Sequence, residues 1–185
     1  MKIRKVLLAA VAGLGCVGGA FAATPASAST SAYFVLTGGS LSISEPSAAG
    51  GVNLGGGTVG LVSTVSGSLG PVTVTDNRAL LLAAWQASVS STEFVVTTAG
   101  PTPAANEKVA LTNITYVAGL STAASGGAFS GLTVASMALP DGSRVAGTFA
   151  GSGANSATWN PTIAFSLLSS QVAGKYTGSI THSVA

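Results

Sequence analysis

Gly70-Pro71-Val72-Thr73-Val74-Thr75-Asp76-Asn77-Arg78-Ala79-Leu80-Leu81-Leu82-Ala83-Ala84-Trp85-Gln86-Ala87-Ser88-Val89 is the stretch whose reading decides the fold. Its first part alternates Val and Thr, the period-2 pattern of a half-buried strand. A polar Asp76-Asn77-Arg78 corner follows, where Asp or Asn can bond its own backbone. The apolar run that carries Trp85 comes next. Periodicity alone cannot type so short a run, and residues 80–85 also fit a buried helical turn. If the strand continues through the corner, Asp76 and Arg78 fall on one face and can pair.

Outward from this stretch the chain reads as all-β. Val, Thr and Ser abound, while Glu, Lys, Gln and Arg are scarce. Further strands are expected at residues 33–37, 41–44, 59–65, 94–98, 110–117, 132–137, 144–150, 163–168 and 176–184. Residues 72–75 and 81–90 form two more. Gly, Pro and Asn clusters separate them, among them Gly55-Gly56-Gly57, Gly100-Pro101-Thr102-Pro103 and Pro140-Asp141-Gly142. Short strands at this spacing predict a single antiparallel β-sandwich with Greek-key-like connections. The last strand is the clearest: Tyr176, Gly178, Ile180, His182 and Val184 share one face, and Thr177, Ser179, Thr181 and Ser183 the other.

The first residues read as an export leader. Lys2, Arg4 and Lys5 precede an apolar run, and two small-residue cleavage sites follow, Ala20-Phe21-Ala22 and Ala26-Ser27-Ala28. The run is short for a membrane span of about 20 residues, so no integral span is expected after processing. The second site is favoured, giving a leader over residues 1–28 and one domain over 29–185. Cys16 has Leu14 two positions before it, whereas a lipidation motif places Leu three before. Without Cys16 the domain holds no cysteine and must be kept together by its core.

Removing the leader also removes the basic balance. Arg78, Lys108, Arg144 and Lys175 then stand against Glu45, Asp76, Glu93, Glu107 and Asp141. No basic footprint for nucleic acid remains. Charged residues are 6% of the chain, against about 25% in ordinary domains, so Ser, Thr, Asn and backbone must solvate the surface.

Few side chains can do chemistry. The single His, His182, lies on the apolar face of the last strand, and no Gly-x-Ser-x-Gly occurs. The carboxylates are scattered, without a calcium loop, and no zinc or copper ligand set is present. No catalytic residue, metal or cofactor is expected, and the chain reads as non-enzymatic. Asp76, Arg78, Trp85, Trp159, Tyr176 and His182 are the candidates for ligand contact. Each has a structural alternative: a capped corner for Asp76 and Arg78, core packing for the aromatics and His182. The sharper reading of Trp85 and Trp159 is an exposed platform for glycan.

Taken together, three segments resemble the WxL domain of Gram-positive surface proteins. They are Pro71–Arg78 with Trp85 and Phe94, Ala157-Thr158-Trp159-Asn160-Pro161-Thr162-Ile163, and Ala173-Gly174-Lys175-Tyr176-Thr177-Gly178-Ser179-Ile180-Thr181-His182. The second motif diverges: His182-Ser183-Val184 stands where that family has Trp and Leu, and the first reads Trp85-Gln86-Ala87. The resemblance implies a secreted or cell-surface β-module that associates non-covalently with cell-wall peptidoglycan, another surface polymer or a surface protein. The alternative expectation is a structural subunit that pairs with itself or a partner through strand edges, since the surface carries so little charge.

Overall fold

The computed structural model describes residues 28–46, 51–137 and 142–185. The chain divides into two units, Met1–Val35 and Leu36–Ala185. In the first, residues 28–35 have no regular secondary structure and are exposed. Residues 1–27, which hold Cys16 and nearly all of the expected leader, and most of the Pro140-Asp141-Gly142 turn lie outside the described residues.

The second unit is built of antiparallel strands. In chain order they are β1 (Leu41–Ser44), β2 (Thr64–Ser68), β3 (Val72–Ser91), β4 (Phe94–Val96), β5 (Lys108–Val109), β6 (Ile114–Val117), β7 (Ser121–Gly131), β8 (Thr133–Val134), β9 (Arg144–Trp159), β10 (Thr162–Ser166), β11 (Tyr176–Thr177) and β12 (Ile180–Val184). One sheet runs β1-β3-β9-β7, a second β2-β10-β6-β8 and a third β11-β4-β5. β12 joins the first sheet beside β3. β1 covers the early part of one β3 edge (Ile43 opposite Val74) and β12 the late part (His182 opposite Val89). β9 runs along the other edge. The all-β sandwich is thus as expected.

The deciding stretch is one 20-residue strand rather than two strands about a turn. Asp76-Asn77-Arg78 is a bulge within it. β3 advances from Asp76 to Ala83 while β9 moves only from Asn155 to Gly151. On the far side of β9, β7 moves from Ser125 to Gly127 while β9 moves from Ser156 to Gly151. All three strands therefore crease along one line, as extra residues in a ladder require. Ala79 supplies part of the bend with φ of 56°. Gly151 supplies the closeness: a Cβ there would overlap the Gly126 carbonyl oxygen and the Phe149 ring.

The crease turns the two halves of the sheet face to face. Trp85 stacks on its cross-strand neighbour Phe149 with centroids 4.8 Å apart. Trp159, from the other half, lies 4.5 Å from Phe129 and 6.5 Å from Trp85. This aromatic stack merges with Val72, Val74, Val89, Ile114, Ile163 and Phe165 into one core. Burial of these side chains at about 25 cal/mol per Å² of apolar area is what holds the unit together.

Other local expectations are corrected. Residues 33–37 are not a strand; Tyr33 and Phe34 are 92% and 82% exposed. Residues 176–184 are two strands, β11 on β4 and β12 on β3, because the chain passes from one sheet to the other at Gly178-Ser179. Residues 121–131 form β7 although Ser, Thr, Ala and Gly give that segment no apolar alternation. The Leu80–Trp85 run is extended, with Leu81 and Leu82 each 86% exposed, so the helical alternative is overturned.

Candidate functional site

The crease is locked by a polar network. The Arg78 backbone N–H and Nε each donate to Asp76 Oδ1 at 2.9 Å, and Nη2 donates to Asp76 Oδ2 at 3.0 Å. Nη2 also reaches the Ala84 carbonyl at 3.2 Å, bridging the bulge. Asn155 Nδ2 donates to Asp76 Oδ2 at 3.4 Å, and Asn155 Oδ1 accepts from Trp85 Nε1 at 2.9 Å. Asp76 is fully buried, which costs free energy unless every oxygen is bonded. The Arg78 guanidinium holds its carboxyl below the usual carboxylate value. Asp76 and Arg78 pair as the sequence suggested, and the pair is spent on the bend.

A second chain of bonds crosses between sheets. Trp159 Nε1 donates to Tyr116 Oη at 3.1 Å, Tyr116 Oη lies 3.0 Å from His182 Nε2, and His182 Nδ1 lies 2.7 Å from Glu45 Oε2. A neutral imidazole with its proton on Nδ1 satisfies every partner: Tyr116 donates to Nε2, and Nδ1–H donates to the carboxylate. Burial pushes the Tyr116 hydroxyl up to about 12. Carboxylate, imidazole and hydroxyl stand in the order of a nucleophilic triad. Tyr116 is however 0% exposed and its oxygen already accepts from Trp159, so no substrate reaches it. The chain ties β6 of one sheet to β9 and β12 of the other.

Both tryptophans are buried, Trp85 at 3% and Trp159 at 0% exposure. The platform reading of these rings is therefore corrected: neither offers a face to a glycan. The Trp85–Trp159 stack instead joins the two networks into one spine, from Arg78 at the crease to Glu45 at the surface.

The open concave surface lies elsewhere. Tyr176 donates to the Val172 carbonyl at 2.7 Å and accepts from Gln171 Nε2 at 3.0 Å, which fixes its ring at a corner. Beside it is a cleft of about 510 Å³ between the Gly51–Gly60 loop and a floor of Phe94, Val109, Phe165 and Gln171. An adjoining hollow of about 350 Å³ shares Phe94, Lys175 and Tyr176 with the cleft and extends to Glu45 and His182. The two hollows adjoin along these shared residues and are referred to together as the groove. The structure thus brings Tyr176 and His182 to one groove and leaves Asp76, Arg78, Trp85 and Trp159 in the interior spine and crease. The Gly55-Gly56-Gly57 cluster, read from sequence only as a turn, is the groove's rim; nothing in its composition distinguishes a rim from a linker.

Among the described residues no cluster of three His, Cys, Asp or Glu side chains could hold a metal ion, and no helix is long and apolar enough to cross a membrane. Comparison with protein-family models, with curated proteins and with solved structures returns no match.

Proposed function

We propose that this chain is a non-catalytic module of the cell exterior that binds a surface polymer, cell-wall glycan first, along the groove between the glycine-rich loop and Tyr176. The single observation that carries this is the groove's shape. Two hollows of about 510 and 350 Å³ share one wall, which suits an extended chain better than one compact ligand. Aromatic edges from Phe94 and Tyr176 line it for sugar rings, and Lys175 and Glu45 supply charge at either hollow. The leader and the WxL resemblance agree with a place outside the cell. The non-catalytic part rests on the spine: the imidazole is bonded at both nitrogens and the nearest hydroxyl is sealed.

The test is co-sedimentation of the purified protein with insoluble peptidoglycan, with Gly56→Trp and Lys175→Glu as variants. No atom lies within 4 Å of a Cβ placed on Gly56, so a bulky side chain there narrows the groove without disturbing the core. Binding that falls in both variants supports the proposal. Binding that is absent in the parent, or equal in all three, overturns it.

A further inference from the structure

One end of the domain is apolar and uncovered. At the crease Leu80, Leu81 and Leu82 are 46%, 86% and 86% exposed. Two residues before them, Asn77 and Arg78 hold the start of the domain: Gly39 N–H donates to the Asn77 carbonyl, and Gly38 packs against the Arg78 carbonyl. The chain that leads into this junction carries Tyr33, Phe34, Val35 and Leu36, each at least 77% exposed. An isolated exposed Leu is ordinary, but seven large apolar side chains in two short runs are not. Neither run contains a charge. The nearest one, Arg78, is neutralised by Asp76. Two copies can therefore bring these ends together without like-charge repulsion.

We infer that residues 33–36 of one copy lie across the Leu80-Leu81-Leu82 crest of a second copy, and reciprocally, forming a two-fold dimer by arm exchange. The occupant is a second copy for three reasons. Arm and crest belong to the same chain, so a two-fold axis satisfies both at once. The arm has no regular secondary structure, is uncharged and rich in β-formers, and takes no part in its own chain's ladders among the described residues. The area is adequate: at about 100–150 Å² for each side chain, the seven bring ~700–1,000 Å² per copy, against about 800 Å² per partner in specific interfaces. This surface is separate from the groove, so the dimer stands or falls independently of polymer binding.

Sedimentation velocity over a dilution series, with the intact protein, tests it. Tyr33→Ser/Phe34→Ser alters only the arm and Leu81→Ser/Leu82→Ser only the crest; all four side chains are exposed, and circular dichroism verifies that each variant folds. The parent is expected to dimerise with concentration, and each variant to weaken the dimer about tenfold or more. An equimolar mixture of arm and crest variants recovers a heterodimer, because one arm then meets one intact crest. A parent that stays monomeric throughout overturns the inference, as does a dimer that both variants leave unchanged. A monomer that instead floats with phosphatidylglycerol vesicles through the same residues also overturns it and assigns the surface to lipid.

Discussion

At the scale of single residues, the molecule ties its sheets together with buried side-chain hydrogen bonds. Tyr116 is the pivot, because its one hydroxyl serves Trp159 and His182 in different strands. Tyr116→Phe leaves an indole N–H and an imidazole nitrogen unpartnered in the interior. The expected loss is about 2–4 kcal/mol, since each buried orphan costs ~1–3 kcal/mol. A lower urea midpoint at unchanged slope is the readout. The same residue sets the alkaline limit. Its folded value, about 12, lies above the unfolded 10.0, so its contribution is intact below pH 10 and is lost as pH rises towards 12. A rise of that size is worth ~2–3 kcal/mol across that window. Tyr116→Phe should flatten the alkaline slope; a slope as steep as the parent's would refute the assignment. Asp76 works at the other end. Its folded value lies below the unfolded 3.8, so stability is present above pH 3.8 and declines as acid protonates the carboxylate. Asp76→Asn should cost about 1–2 kcal/mol at neutral pH and remove that part of the acid dependence, followed by urea titration at each pH.

At the scale of elements, the crease decides the architecture. Ala79 is the described non-glycine residue with positive φ, a conformation that costs an L-residue about 1–2 kcal/mol. Ala79→Gly should therefore raise stability by ~1 kcal/mol even though glycine is freer in the unfolded chain. Gly151→Ala should do the reverse and more, because its Cβ meets Gly126 and Gly127 backbone that cannot swing aside. Loss of about 3 kcal/mol or failure to fold is expected, and thermal melts of the two variants measure both signs. The crease also explains what the sequence disclosed. Val-Thr alternation at residues 72–75 and the apolar run ending at Val89 correctly marked extended chain. Asp-Asn-Arg was legible as irregular, and its internal pairing too. Local pattern cannot say whether an irregularity ends a strand or bends it, since that depends on whether β9 continues alongside. β7 was illegible for a related reason: its pairing with β9 fixes it, and apart from Phe129 its small side chains carry no signature. Residues 33–37 failed in the opposite direction, as a fitting pattern with no neighbour in the ladder. Of the candidate site residues, the aromatics and His182 were identifiable as special but not as mutually bonded. Their contacts join positions as far apart in sequence as Glu45 and His182.

At the scale of the whole molecule, one core joins all three sheets and one spine ties the first two, so the folded unit is expected to unfold as one. The core draws on β3, β4, β5, β6, β7, β8, β9 and β10, and β12 adds His182 through Tyr116. Its bonded strands are mostly distant in sequence, β1 with β3, β7 with β9 and β12 with β3 among them. Long-range pairing of this kind predicts slow folding, on the order of milliseconds to seconds, with a cooperative transition. Far-UV circular dichroism should report the loss of strands and tryptophan fluorescence the loss of the Trp85–Trp159 stack at one and the same midpoint. The sequence contains a single cysteine, Cys16, so no intrachain disulfide contributes and that midpoint should not move when a thiol reductant is added. Deleting residues 180–185 removes β12, the bonds between Gln86 and Ala185, and the imidazole that Tyr116 requires. Both probes should then show an unfolded chain. If fluorescence instead melts before circular dichroism in the intact protein, the two halves of the creased sheet separate as independent units, and the spine is not what binds them.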